Sequence, residues 1–205
     1  MRALVLVDLQ YDFLPGGALA VGHGDETIGV AKRVIPRFET IVATQDWHPR
    51  EHESFAANHT GKKPGEQIEL HGMRQVLWPV HCVQGTRGAE LHDELDRYRI
   101  AHVFQKGTDP KVDSYSGFAD NGHRKSTGLA EWLKKRMVAQ LYILGLATDY
   151  CVKATVLDAC ELGFDVWVVE DGCRPVELEP GDGDKAFAEM RKAGATIIPS
   201  GAIGS

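Results

Sequence analysis

The sequence lacks the features of a membrane protein and of a disulfide-stabilised secreted protein. No stretch approaches the roughly 18 consecutive apolar residues that a membrane-spanning helix needs. Asp8 interrupts the first apolar run, where the apolar segment of a signal peptide would continue. The four cysteines include no CxxC pair and are too sparse for a disulfide framework. We therefore expect a cytoplasmic protein with reduced thiols and no membrane partner.

The sequence also lacks basic runs and phosphate-binding glycine motifs. Its 23 Lys and Arg residues are outnumbered by 29 Asp and Glu residues, and the net charge is -6. Because nucleic acids bind mainly to clustered positive charge, we expect no nucleic-acid partner. No Walker lysine motif is present, and the segment from Gly22 to Thr27 lacks the third glycine of a dinucleotide-binding fingerprint.

The sequence does contain a regular alternation of strand-like and helix-like segments. Val- and Ile-rich apolar runs predict strands at Ala3–Val7, Thr40–Thr44, Ile100–Phe104, Leu141–Leu146, Val166–Val169 and Ala195–Ile198. Helical patterns fall at Asp25–Phe38, Thr127–Met137, Asp149–Leu162 and Asp182–Ala193. Continuous apolar runs fit strands that are covered on both faces. We predict an α/β fold, with residues 1–205 forming a single three-layer domain around a six-stranded parallel sheet of Rossmann-like winding.

The segment from Trp47 to Gly88 interrupts this alternation. It shows no convincing helix or strand, yet it is rich in histidine and contains two tryptophans. Loops of this length in compact domains are usually functional or disordered, and the aromatic residues argue against disorder. We therefore predict a functional loop.

Reactive side chains follow four of the predicted strands. They are Asp8, Asp46 with His48, Lys106, and Cys151. Ligands of open parallel sheets bind at the carboxyl ends of the strands, so we expect these side chains to share one rim. The simplest winding would place Lys106 on the strand next to Asp8. Free N–H groups in the first turn of a helix would stabilise a Cys151 thiolate. The alternatives are a purely structural Asp8–Lys106 ion pair and a packing role for Cys151.

Asp46 and His48 are also the first members of a candidate metal site. In an extended backbone their side chains point to the same side, and His81 offers a further nitrogen from the long loop. One Asp and two His leave coordination positions open for water or substrate, and zinc, iron and manganese all accept this set. His52 could pair with His48 only on a helix, which Pro49 disfavours.

Five motifs in this order resemble the nicotinamidases, a group within the isochorismatase-like cysteine hydrolases. They are Val-Asp-Leu-Gln-Tyr-Asp-Phe around Asp8, Asp46-Trp-His48, Trp78-Pro-Val-His81, Lys106-Gly107 and Gly145-Leu-Ala-Thr-Asp-Tyr-Cys151. The resemblance runs from Leu4 to about Pro175. The broader superfamily shares the Asp, Lys and Cys but generally lacks the metal set.

The resemblance implies a role for each motif. Cys151 would attack a carboxamide carbon, Asp8 would transfer the proton, and Lys106 would orient that carboxylate. The N–H groups of Ala147 and Cys151 would form the oxyanion hole, beside a cis peptide bond at Leu146–Ala147. The implied divalent ion, zinc first and iron or manganese as alternatives, would be held by Asp46, His48 and His81. The implied substrate-binding residues are Phe13, Trp78 and Tyr115.

The implied reaction converts nicotinamide to nicotinate and ammonia in NAD salvage, with pyrazinamide as a further small-molecule substrate. One alternative is another amidohydrolase of the superfamily that acts on a carbamoyl or ureido group. A metal or thiol sensor without turnover is a further alternative. The sequence leaves a homo-oligomer open.

Overall fold

The computed structural model describes residues 1–95 and 99–204. Its strands are β1 (Arg2–Val7), β2 (Thr40–Asp46), β3 (Gln67–Leu70), β4 (Met73–Val76), β5 (His102–Lys106), β6 (Gln140–Leu146), β7 (Asp165–Arg174) and β8 (Thr196–Ile198). One parallel sheet contains six of these strands in the order β5-β2-β1-β6-β7-β8. The predicted α/β fold with a six-stranded parallel sheet is confirmed.

Helices connect the strands of the sheet. They are α1 (Asp25–Val34), α2 (Leu129–Lys135), α3 (Lys153–Glu161) and α4 (Asp182–Lys192). Helix α1 packs on β6 and β7, whereas α3 packs against β7 and α4. The regular helices are shorter than predicted, because α1 tightens into a 3-10 turn at Pro36 and a π-helical turn precedes α3. No helix of the described residues is long and apolar enough to cross a membrane.

The long loop contains a β-hairpin that was not predicted from the sequence. Strands β3 and β4 pair in antiparallel register, with Leu70 opposite Met73. The two residues between them, His71 and Gly72, have φ angles of 51° and 81°. Positive φ at both central residues is typical of the tight turns that join hairpin strands. The prediction of no strand in this segment was therefore wrong.

The position of β5 also differs from the simplest winding. Strand β5 pairs with β2, and β2 separates it from β1. The expectation that Lys106 and Asp8 come from adjacent strands was therefore wrong. Lys106 is the register partner of Asp46, at the carboxyl end of both strands. Its long side chain reaches past the end of β2 toward β1, so the sheet still brings Lys106 and Asp8 together.

Candidate active site

Lys106 is the centre of a buried polar cluster. Its Nζ lies 2.8 Å from Asp8 Oδ2, 2.5 Å from Asp46 Oδ1 and 3.3 Å from Cys151 Sγ. It also donates to the carbonyl of Ser114 at 2.9 Å. Burial by itself lowers the pKa of Lys106, but the charges of Asp46 and Asp8 raise that pKa well above its ordinary value. Lys106 is therefore a permanent cation in contact with two carboxylates and a thiol.

Asp8 has one oxygen engaged and one available. Its Oδ1 accepts the Thr44 hydroxyl at 2.6 Å. Its Oδ2 is close to Lys106 but accepts no hydrogen bond of good geometry from the described residues. Burial raises the pKa of the Asp8 carboxyl, and the positive charge of Lys106 opposes that rise. A carboxylate with a free oxygen and a raised pKa can take a proton from a neighbouring thiol.

Cys151 lies in the π-helical turn Thr148–Val152, directly before α3. Burial raises the pKa of its thiol well above the ordinary value; the positive charge of Lys106 opposes that rise, and the charges of Asp8 and Asp46 add to it. Burial therefore acts against the thiolate stabilisation that we expected from the free N–H groups at the helix start. Cys151 carries its proton at rest and needs a base to become a nucleophile.

The other three cysteines are Cys82 and Cys173, which are buried, and Cys160. All four cysteines are free, as the sequence predicted. Cys160 is partly exposed on α3, and burial raises the pKa of its thiol.

Ala147, the other member of the predicted oxyanion hole, follows a cis Leu146–Ala147 peptide bond and lines the same pocket as Cys151. The oxyanion role itself remains a prediction.

Asp46, His48 and His81 converge on one buried point. His48 Nε2 is 3.7 Å and His81 Nε2 is 4.0 Å from Asp46 Oδ2. These separations are close to the roughly 3.4 Å between two ligands that each lie about 2.1 Å from a tetrahedral ion. One ligand atom from each residue lies within 4.8 Å of the others. The described residues can therefore hold a metal ion here.

Neighbouring carbonyls orient both histidines for metal binding. His48 Nδ1 donates to the carbonyl of Gly107 at 2.9 Å, and His81 Nδ1 donates to the carbonyl of Pro79 at 2.8 Å. Each bond places the proton on Nδ1 and leaves the Nε2 lone pair free, as a ligand requires. Burial lowers the pKa of His81 to about 4, so this ring is neutral at neutral pH.

Several residues that support the site were missed from the sequence. Gln10 clamps the backbone of Asp46: its Nε2 donates to the Asp46 carbonyl and its Oε1 accepts the Asp46 N–H, both at 2.8 Å. Gln10 lies two residues after Asp8, in an extended segment. A polar side chain among buried neighbours was the signal that could have identified Gln10 as a residue that supports the site. Thr44 on β2 gives a similar signal, because it is a buried polar residue directly after the apolar residues of that strand.

A single pocket joins the metal ligands to Cys151. Phe13, Trp78 and Tyr115 line it, as the resemblance implies. The pocket also contains residues that we did not predict, namely Leu19, Asp113, Tyr150 and Val176. Trp78 Nε1 donates to the Tyr115 hydroxyl at 3.1 Å, and Trp78 packs edge-on against Tyr150 with ring centroids 4.8 Å apart. These aromatic side chains make a wall suited to a flat ring.

His52 lies beside the metal ligands but outside their cluster. Its ring centroid is 4.5 Å from that of His48, and its side chain is fully buried. Its Nδ1 is bonded to Ser54, whose backbone N–H donates to it at 3.1 Å. Because Nδ1 accepts this bond, the neutral ring carries its proton on Nε2 and offers no lone pair there.

The chain is similar to known hydrolases along almost its whole length. Residues 2–201 match the isochorismatase domain family. The Escherichia coli nicotinamidase is 54% identical over 200 residues, which cover 96% of this chain and 93% of that protein. A nicotinamidase/pyrazinamidase from Acinetobacter baumanii superposes with a TM-score of 0.94 at 45% identity, covering 98% and 96% of the two chains. The Pyrococcus horikoshii pyrazinamidase in complex with zinc gives a TM-score of 0.80 at 38% identity, with 97% and 98% covered. The chain therefore belongs to the isochorismatase family, and its similarity within that family is to nicotinamidases.

Proposed function

We propose that this protein is a nicotinamidase, which hydrolyses nicotinamide to nicotinate and ammonia in NAD salvage and also accepts pyrazinamide. The observation that carries the proposal is the shared pocket. Cys151 lines it together with the three metal ligands Asp46, His48 and His81. A flat heteroaromatic amide can then present its carboxamide to the thiol and its ring nitrogen to the ion.

Cys151 and Asp8 carry out the first half of the reaction. Cys151 Sγ attacks the carboxamide carbon while Asp8 Oδ2 takes the thiol proton. The N–H groups of Ala147 and Cys151 stabilise the developing oxyanion. Asp8 then gives its proton to the departing nitrogen, so that ammonia leaves and a thioester on Cys151 remains.

Water completes the reaction on the same residues. Asp8, again a carboxylate, takes a proton from water as the water oxygen attacks the thioester carbon. The carbon–sulfur bond breaks, Sγ takes the proton back, and nicotinate is released. Lys106 stays an ammonium throughout and holds Asp8 beside Sγ, because its Nζ contacts both side chains.

Asp46, His48 and His81 would hold the divalent ion. When bound, the ion is a Lewis acid that accepts the ring nitrogen of the substrate and fixes its orientation. We propose zinc, with iron and manganese as alternatives that suit the same donors. Phe13, Trp78 and Tyr115 position the ring. A cytoplasmic location and a homo-oligomer remain predictions.

The alternative activity, on a carbamoyl or ureido substrate, needs no ring nitrogen and hence no metal set. The two activities can be separated by assaying ammonia release from nicotinamide, pyrazinamide and a carbamoyl amino acid, with wild-type protein and with His48→Ala. We expect turnover of the two heteroaromatic amides by the wild type and a steep rise in KM for His48→Ala. Preferential turnover of the carbamoyl compound, unaffected by His48→Ala, would support the alternative.

A further inference from the structure

Asp113 is a buried carboxylate that the proposed reaction does not use. Asp113 is only 5% exposed and lines the same pocket as Asp46 and His48. Asp113 Oδ1 accepts the backbone N–H of Ser114 at 2.8 Å, and Oδ2 accepts Gln75 Nε2 at 3.1 Å. Two neutral donors hold this carboxylate in place but do not balance its charge. A cation nearby would do so.

His52 provides a second, independent observation. Its buried Nε2 carries the proton of the neutral ring, yet this N–H donates to no acceptor of good geometry among the described residues. The backbone of Val112 also interacts with the ring, without completing such a bond at Nε2. A buried donor without a partner is destabilising, so it indicates a polar molecule that binds here.

Asp113 and His52 lie at the edge of the metal site. One ring nitrogen of His52, one of His48 and one carboxylate oxygen of Asp113 lie within 4.8 Å of one another. His48 belongs to the metal set as well, so the two clusters are contiguous. His52 and Asp113 do not bond to each other directly, and one water can bridge polar groups over such a distance.

We propose that Asp113 is an outer-sphere anion of the metal site, which binds a water ligand of the divalent ion and thereby helps to retain that ion. Asp113 accepts a hydrogen from this water, and His52 Nε2 donates into the same gap. Gln75, on hairpin strand β4, fixes the orientation of Asp113. The inference rests on the metal site of the proposed function. It makes Asp113 and His52 positioning residues, because they act through the ion rather than on the substrate.

Zinc affinity, measured without any turnover, tests this inference. The protein is stripped with a chelator, and the Kd for zinc is determined by competition with a chromophoric chelator. The variants are Asp113→Asn and His52→Gln. Asp109→Asn is the matched control, since Asp109 is an exposed carboxylate in the same loop. Partners of metal ligands typically contribute about 10- to 100-fold to metal affinity, so we expect a loss of this size for Asp113→Asn.

The other variants provide a second test and a control. We expect His52→Gln to weaken zinc binding at least about threefold and Asp109→Asn to leave it unchanged, by the same outer-sphere reasoning. Excess zinc should restore ammonia release by Asp113→Asn. Thermal unfolding of the stripped variants identifies any that fail to fold, and His52→Gln decides the question if Asp113→Asn is unfolded. A folded Asp113→Asn or His52→Gln protein whose Kd is within about twofold of wild type overturns the inference.

A separate result would count against the proposed function instead. If the wild-type protein binds no zinc, iron or manganese, the metal site itself is wrong. If the wild type binds metal and His48→Ala does not, the site stands, and only the affinities of Asp113→Asn and His52→Gln decide the role of Asp113.

Discussion

His48 packs directly against the backbone of Gly107. Its Nδ1 lies 2.9 Å from the Gly107 carbonyl oxygen, and a Cβ on Gly107 would lie 2.3 Å from Cε1 of the His48 ring. Gly107 also has a φ of 63°, in the left-handed region that favours glycine. The residue after Lys106 must therefore lack a side chain for His48 to hold its metal-binding orientation.

Gly107→Ala should displace His48 and release the metal. Gly163→Ala is the matched control, because Gly163 has a φ of 84° and an added Cβ would meet nothing within 4 Å. Both variants should lose roughly 1–2 kcal/mol of stability from the left-handed backbone. Elemental analysis after dialysis should find metal depleted in Gly107→Ala alone. Equal metal content in both variants would show that contact with Gly107 does not position His48.

Asp8→Asn should abolish most of the turnover and leave the fold intact. The amide keeps the shape of the carboxylate but cannot take the thiol proton, so kcat should fall at least about a hundredfold. Asp25→Asn, a change at an exposed position on α1, is the control and should retain full activity. A loss below about tenfold would reduce Asp8 to a structural partner of Lys106.

The acid limb of the pH profile should report the environment of Asp8. Asp8 must be deprotonated to act as the base, so kcat/KM should rise as the pH rises through its pKa. Burial raises this pKa, with Lys106 partly opposing the rise, so the limb should lie above the range of an ordinary aspartate. The profile must be measured together with metal content at each pH, since acid also protonates histidine ligands. An acid limb at or below the ordinary aspartate range, with metal retained, would contradict this assignment.

Removal of the metal should slow the hydrolysis of an amide that has a ring nitrogen more than that of an amide that lacks one. Chelation should lower kcat/KM for nicotinamide at least about tenfold more than for benzamide, which has the same amide but no ring nitrogen. A tenfold difference corresponds to about 1.4 kcal/mol of selective binding. Replacement of the metal should restore the nicotinamide rate. Equal losses of kcat/KM for the two amides would mean that the ion stabilises the protein and does not bind the ring nitrogen of the substrate.

The sheet and the position of the reactive side chains at its edge could be predicted because each depends on a local signal. Continuous apolar runs mark buried parallel strands, and polar residues directly after them mark the functional edge, as with Asp8 and Lys106. The strand order could not be obtained this way. Whether β5 pairs with β1 or β2 depends on tertiary packing, and the side chain of Lys106 is long enough to serve either arrangement.

The hairpin and the protonation state of Cys151 were not predicted from the sequence, for two different reasons. A signal for the hairpin was present, since polar and apolar residues alternate in Gln67–Leu70, directly before His71-Gly72. For Cys151 no sequence signal was sufficient. Its pKa depends on burial and on the charges of Lys106, Asp8 and Asp46, which other strands bring to it, so its position at a helix start did not by itself indicate the direction of the shift.

Replacement of the proposed nucleophile is the most direct test of this account. Ammonia and nicotinate should be measured with metal-loaded wild type, Cys151→Ala and the control Cys160→Ala. We expect equimolar products from the wild type and from Cys160→Ala, and a loss of at least about a thousandfold for Cys151→Ala with its metal retained. Undiminished product formation by Cys151→Ala, or no turnover of nicotinamide by the metal-loaded wild type, would contradict the account.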